Sequence, residues 1–120
     1  MSYNRFIQSF KKIPKDLFRL NTSTTVRLPN GASMRPNSVT QQNLVQSFKG
    51  STVYVYSVHA GTELPDDLIL VHEFGDHYSL QASREMTVEE LNAKITDFLN
   101  SKGECLTKEE WQQRYPQATE

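Results

Sequence analysis

At 120 residues the chain is long enough for one domain with its own core, needing neither disulfides nor metal to fold. Its formal net charge of −1 argues against broad electrostatic binding to nucleic acid or an anionic membrane. The single cysteine, Cys105, excludes an internal disulfide, suits a cytoplasmic setting and reads as a small hydrophobe or exposed thiol. No apolar run approaches the roughly 20 residues of a membrane helix. Lys11 and Lys12 have no apolar stretch behind them, so no conventional signal peptide is expected.

In chain order, residues 3–12 place Phe6, Ile7 and Phe10 at helical spacing, which predicts an N-terminal helix within residues 1–14, ended by Pro14. Residues 17–20 read as a short apolar strand with Arg19 facing outward, and residues 24–28 as another. Pro29-Asn30-Gly31 is a turn signal. Residues 32–37 read as a loop in which Ser33 and Arg35 lie near a glycine. Such a loop suits a phosphate, although its spacing matches neither a P-loop nor a dinucleotide fold. Residues 38–48 predict a helix with Ser38 and Gln41 as a capping box, Leu44, Val45 and Phe48 buried, and Gly50 as the stop. Residues 52–58 alternate Val53 and Val55 against Tyr54 and Tyr56, a strand with usable residues on both faces.

Residues 61–81 organise the rest and read as a β-hairpin. Residues 68–74 and 77–81 flank Gly75-Asp76, a two-residue loop with glycine first, as a type II′ turn requires. That register sets Phe74 opposite His77, His72 opposite Ser79 and Leu70 opposite Gln81. One face then carries Leu70, His72, Phe74, His77, Ser79 and Gln81. The other, mostly apolar, carries Ile69, Val71, Glu73, Tyr78 and Leu80 and should meet the core. Beyond it, Met86, Thr87, Glu90 and Leu91 give a staple and capping box, and Val88, Leu91, Ile95, Phe98 and Leu99 should pack on the sheet up to Gly103. Leu106, Thr107, Glu110 and Trp111 repeat the motif for a short last helix before Pro116, with residues 116–120 expected to fray. Strands in the middle and helices at the end predict an α+β domain over 1–120 with a largely antiparallel sheet.

Three chemistries fit the polar residues. His72 and His77 with Asp76 or Glu73 are too few for a structural zinc, so no metal is expected. A ribonuclease needs a base, an acid and a cation on the phosphate, which His72, His77 or His59 with Arg19 or Arg35 could supply. NAD needs an arginine and backbone amides for its pyrophosphate and an aromatic floor for nicotinamide. Arg19, Ser33, Tyr54, Tyr56, Phe74, His77 and Tyr78 offer these, although spacing alone does not single them out. There is no GxSxG elbow, HExxH or Walker loop.

The ordered run G-T-E-L-P-D-D-L at 61–68, H-Y-S-L-Q at 77–81, Met86-Thr87, Leu91-Asn92 and I-T-D-F at 95–98 resembles the toxin domain of a small type VI secretion effector family. That family has homologues in fungi and bacteria. Leu17-Phe18-Arg19 is similar to its early aromatic-Arg strand, and Asn30-Gly31-Ala32-Ser33 to its Gly-led hydroxyl loop. The resemblance covers about residues 15–100. It implies an ADP-ribosyltransferase-like fold, NAD as cofactor, a macromolecular target and an antitoxin. Carried over by position, it places Arg19 on the pyrophosphate and Ser33 near the nicotinamide; Tyr54 and Phe74 join them at the cofactor as the aromatic floor that nicotinamide needs. His77 and Gln81 fall on the catalytic strand. The family's third role belongs to a glutamate; here Gln81 is nearest and Glu73 lies on the strand before. A non-enzymatic interaction domain on the same fold is the remaining alternative.

Overall fold

The computed structural model describes residues 8–22, 31–49 and 53–120. Its strands and helices run β1 (Gln8–Phe10), β2 (Leu17–Thr22), β3 (Ala32–Met34), α1 (Val39–Ser47), β4 (Val53–Val58), β5 (Leu68–Phe74), β6 (His77–Ala82), α2 (Val88–Lys102), β7 (Glu104–Thr107) and α3 (Lys108–Arg114). The described strands form two antiparallel sheets, β1-β5-β6-β3 and β2-β4-β7. Among the described residues a single bridge joins them: Phe18 and Arg35 exchange both backbone hydrogen bonds, at 2.7 and 3.0 Å. This is the expected α+β architecture, with three helices among the described residues.

The two faces of β2-β4-β7 serve two cores. Leu17 and Val58 point to the larger one, where Leu68, Leu70, Tyr78 and Leu80 of the first sheet meet Leu91, Ile95, Phe98 and Leu99 of α2. Phe18, Val55 and Leu106 point the other way, onto Val45 of α1 and Trp111 of α3. Each fully buried large side chain is worth about 1.5–3 kcal/mol. Four of them on one stripe make packing, more than propensity, the reason α2 is helical. Thr87 and Thr107 accept the backbone N–H groups of Glu90 and Glu110 at 3.1 Å, and at Thr107 the reciprocal glutamate bond completes the box.

Several expectations change. Residues 8–10 are a strand: Gln8, Ser9 and Phe10 pair with His72, Val71 and Leu70, since an open sheet edge satisfies backbone groups that one short helix leaves exposed. Residues 3–7 of that expected helix, the strand over 24–28 and Gly50 lie outside the described residues. Ala32–Met34, read as loop, is β3, held by β6. Residues 104–107, read only as the link and cap before the last helix, form β7 beside β4 and bury Leu106. Helix α1 buries the Gln41–Val45 stripe, leaving Leu44 and Phe48 exposed, and Val88 of α2 is exposed too. Ser38 accepts from Gln41 N–H, but the Ser38 backbone N–H donates to Pro36 O at 2.7 Å and not to the Gln41 side chain, so the reciprocal arm of that box is missing. The tail expected to fray is tied down: Thr119 and Glu120 donate backbone N–H groups to Asn37 O, Asn37 Nδ2 donates to Gln117 O at 2.8 Å, and Lys15 meets Glu120 at 2.8 Å.

The hairpin pairs Phe74 with His77 as expected, then breaks register. A bulge at Glu73 sets His72 opposite Tyr78 and Leu70 opposite Leu80. One extra residue exchanges the faces of the bulged strand. Leu68 and Leu70 therefore enter the core, while Ile69 and Val71 turn to the half-buried side. Tyr78 and Leu80 face the core as expected.

Candidate functional site

The bridge between the sheets is also where they part. Beyond Phe18–Arg35 no further β2–β3 pairing is present among the described residues. Alternation along β3 turns the backbone of Ser33 to the same side as that of Arg35, towards β2. Its carbonyl accepts Arg19 Nη1 at 3.0 Å. Its N–H points the same way, where no β2–β3 bridge beyond Phe18–Arg35 is present among the described residues. The split thus leaves open backbone groups beside a guanidinium.

Arg19 was expected to face outward, yet it is only 8% exposed. It sits on the larger-core face of β2, opposite Tyr56. Burial lowers its pKa, but a guanidinium keeps its charge at neutral pH. No carboxylate among the described residues lies within ion-pair distance of it. A buried cation compensated only by a carbonyl is costly, and an anion entering the split would relieve that cost. Tyr56 donates its hydroxyl to Asn100 Oδ1 at 3.2 Å, and burial raises the phenol pKa, so it adds no competing charge.

Ser33 and Ser79 face each other across β3 and β6, with His77 and Gln81 on the same face of β6. His77 Nε2 lies 3.0 Å from Ser33 Oγ. On the other side of the ring, Nδ1 lies 3.1 Å from Glu73 Oε1. That approach is off the hydrogen-bond axis, so Nδ1 has a charge contact without a directional bond. With Nε2 accepting from the serine hydroxyl, the ring proton sits on Nδ1, close to the carboxylate but not aimed at it. The bulge that changes the register of β5 also brings Glu73 to His77. Phe74 is 71% exposed and lies 5.5 Å from the His77 ring, centroid to centroid.

The hairpin tip is anchored next door. Ser38 Oγ donates to Asp76 Oδ2 at 2.6 Å, and Arg35 Nε lies 3.8 Å from Asp76 Oδ1. This fixes the turn that precedes His77 against the N-terminus of α1. Gly31 closes the other side. A Cβ there would overlap the Leu80 carbonyl oxygen and come within 2.7 Å of Ser79 Oγ and 3.0 Å of Gln81 Cγ.

Of the residues selected from sequence, Ser33, His77 and Phe74 come together through their side chains, Arg19 reaches them only at the Ser33 backbone carbonyl from the larger-core side, and Gln81 lies further along the same strand face as His77. Tyr54 lies on β4, one pleat from the Tyr56 that pairs with Arg19, and no hydrogen bond among the described residues ties it to the cluster. His72 leaves the site: its ring stacks on Tyr78 at 4.4 Å and its Nε2 bonds the Gly75 carbonyl at 2.7 Å, on the opposite face from His77. The paired-histidine ribonuclease arrangement is therefore not formed. His59 sits with Asp16 at 3.7 Å, outside the cluster. Among the described residues no group of three histidine, cysteine or acidic side chains converges on a metal position. A groove of about 460 Å³ beside Leu64, Asp67, Lys94 and Phe98 includes none of the cluster residues. The sequence marked Asp76 as a turn residue, Ser38 as a helix cap and Arg35 as a loop cation, but nothing in it showed that the three meet. A family model described as the Tse2 ADP-ribosyltransferase toxin matches residues 3–111. No curated protein and no solved structure matches the chain.

Proposed function

Because the chain belongs to the Tse2 ADP-ribosyltransferase toxin family, we propose that it transfers ADP-ribose from NAD to a macromolecule of a target cell, at the split between its two sheets. NAD would supply the ADP-ribosyl group and nicotinamide as leaving group. The observation that carries the reading is Arg19: a buried guanidinium with no carboxylate among the described residues, opening onto an unpaired strand edge. Its remaining donors suit a pyrophosphate, which accepts several charge-assisted hydrogen bonds.

Ser33 and His77 stand beside Arg19 and would face the nicotinamide end. The exposed ring of Phe74 offers an apolar face there. Gln81 can orient a hydroxyl or amide through hydrogen bonds but supplies no charge. Glu73, in contact with His77, is the carboxylate that would support the cationic character developing as nicotinamide leaves. His77 would hold the incoming nucleophile and take its proton. Tyr54 would lie further along the split as an aromatic wall for the adenosine portion.

Action in the cytosol, delivery as a type VI secretion effector and neutralisation by an antitoxin form the rest of this proposal. No helix among the described residues is long and apolar enough to cross a membrane. The test is incubation of a target-cell extract with biotinylated NAD and the purified protein. A biotin-labelled acceptor that disappears with Arg19→Ala and His77→Ala is expected. The same labelling by a folded Arg19→Ala variant would overturn the site.

A further inference from the structure

We propose that Ser33 is an activated nucleophile with His77 as its general base, and that it gives the protein an acyl-transfer activity towards carboxylic esters that needs no NAD. A nucleophilic hydroxyl is recognised by a base within hydrogen-bond reach, itself oriented by a third group. Ser33 Oγ lies 3.0 Å from His77 Nε2, and Glu73 Oε1 lies 3.1 Å from His77 Nδ1. The first distance falls inside the reach needed for proton transfer; the second is a close contact off the hydrogen-bond axis, which sets the carboxylate beside the ring without a directional bond. Ser33 is exposed, so the hydroxyl is open to a substrate, while the His77 side chain is only 18% exposed and held in place.

The fourth requirement is donors where negative charge develops. The N–H of Ser33 points towards β2, where no bridge beyond Phe18–Arg35 is present among the described residues, and the Arg19 guanidinium lies on the carbonyl of the same residue. A nucleophile's own N–H is one of the two donors in the serine-protease oxyanion hole. Here a buried guanidinium would be the second. The turn before His77 is pinned by Asp76 to Ser38, which limits the ring's freedom to leave Ser33.

The chemistry balances without any additional reagent. Ser33 Oγ forms a bond to the ester carbonyl carbon, and its proton passes to His77 Nε2. The bond from that carbon to the alkoxy oxygen breaks, and the departing alkoxide takes the proton from His77. Water then attacks the acyl-serine, giving a proton to His77. Ser33 is restored with that proton, and a carboxylic acid is released.

The experiment uses the intact chain in NAD-free buffer with a fluorophosphonate probe, followed by peptide mapping, and with p-nitrophenyl acetate as ester. Labelling is expected at Ser33, with the rate rising through a single ionisation on increasing pH. Ser33→Ala removes the label. His77→Gln slows it by about 100-fold or more and abolishes the pH step, the range expected for loss of a general base. Glu73→Gln, with the fold checked by circular dichroism, slows it by about tenfold, a loss of about 1.4 kcal/mol. Labelling spread evenly over the exposed serines overturns the proposal, and so does an undiminished rate in His77→Gln. Because NAD is absent throughout, either failure leaves the transferase reading standing, and a protein that labels at Ser33 without binding NAD would separate the two in the other direction.

Discussion

Removing the carboxylate at the hairpin tip should loosen the site while leaving both cores intact. Asp76 accepts the Ser38 hydroxyl at 2.6 Å and faces Arg35 Nε at 3.8 Å. A hydrogen bond to a charged acceptor contributes about 1.5–3 kcal/mol. The arginine contact is longer, and both its side chains keep some exposure, 24% and 29%, so it adds at most about 0.5 kcal/mol. Asp76→Ala should therefore cost about 2–3 kcal/mol. Asp76→Asn keeps an oxygen acceptor and should cost about 1 kcal/mol. Urea unfolding reads this as a lower midpoint at unchanged slope. Ser38 has a second task, since it also caps α1 through Gln41 N–H, so Ser38→Ala alone is not a clean measure. A double-mutant cycle removes that ambiguity: the Asp76–Ser38 coupling should be about 1 kcal/mol or more. Additivity within about 0.5 kcal/mol would refute the latch.

Gly31→Ala should cost about 3 kcal/mol or more, because the new methyl meets backbone at Leu80, whereas Gly75→Ala should cost only about 1 kcal/mol, since its φ of 52° is strained but nothing lies within 4 Å; equal losses in thermal unfolding would contradict this. Asp67 is held below the ordinary aspartate value of 3.8 by hydrogen bonds from Lys94 and Arg84. A depressed folded-state pKa stabilises above the unfolded pKa and loses that stabilisation as pH falls through the folded value. Stability should therefore fall with pH below 3.8, and Asp67→Asn should flatten that part of the urea-midpoint profile; an unchanged acid slope would exclude Asp67 as a source. Phe74→Ala should change stability by less than about 0.5 kcal/mol, as for an exposed side chain, yet weaken NAD binding several-fold by calorimetry.

The sequence made the turn chemistry and the residue types legible, and tertiary contacts decided the rest. Gly75-Asp76 located the hairpin loop because glycine supplies the positive φ such a turn needs. Strict alternation then failed in β5, since no residue type marks the bulge at Glu73. That one extra residue separates His72 from His77 and brings the Glu73 carboxylate to 3.1 Å from His77 Nδ1. Thr87, Thr107 and Ser38 marked helix starts correctly because capping is local. Gln8–Phe10, Ala32–Met34 and Glu104–Thr107 are three or four residues long, and each is a strand only because a partner's edge is there to pair with it. Arg19 looked like an outward residue on a short strand. It is buried because the strand lies between two cores and carries a useful residue on each face.

Titration of NAD into the purified protein by calorimetry, with Arg19→Ala alongside, tests the central claim most directly. The account predicts saturable binding by the wild type and a loss of at least about tenfold in affinity in the variant, about 1.4 kcal/mol, from the charge-assisted hydrogen bonds removed. Absence of binding by well-folded wild type, or equal binding by a folded Arg19→Ala, would contradict it.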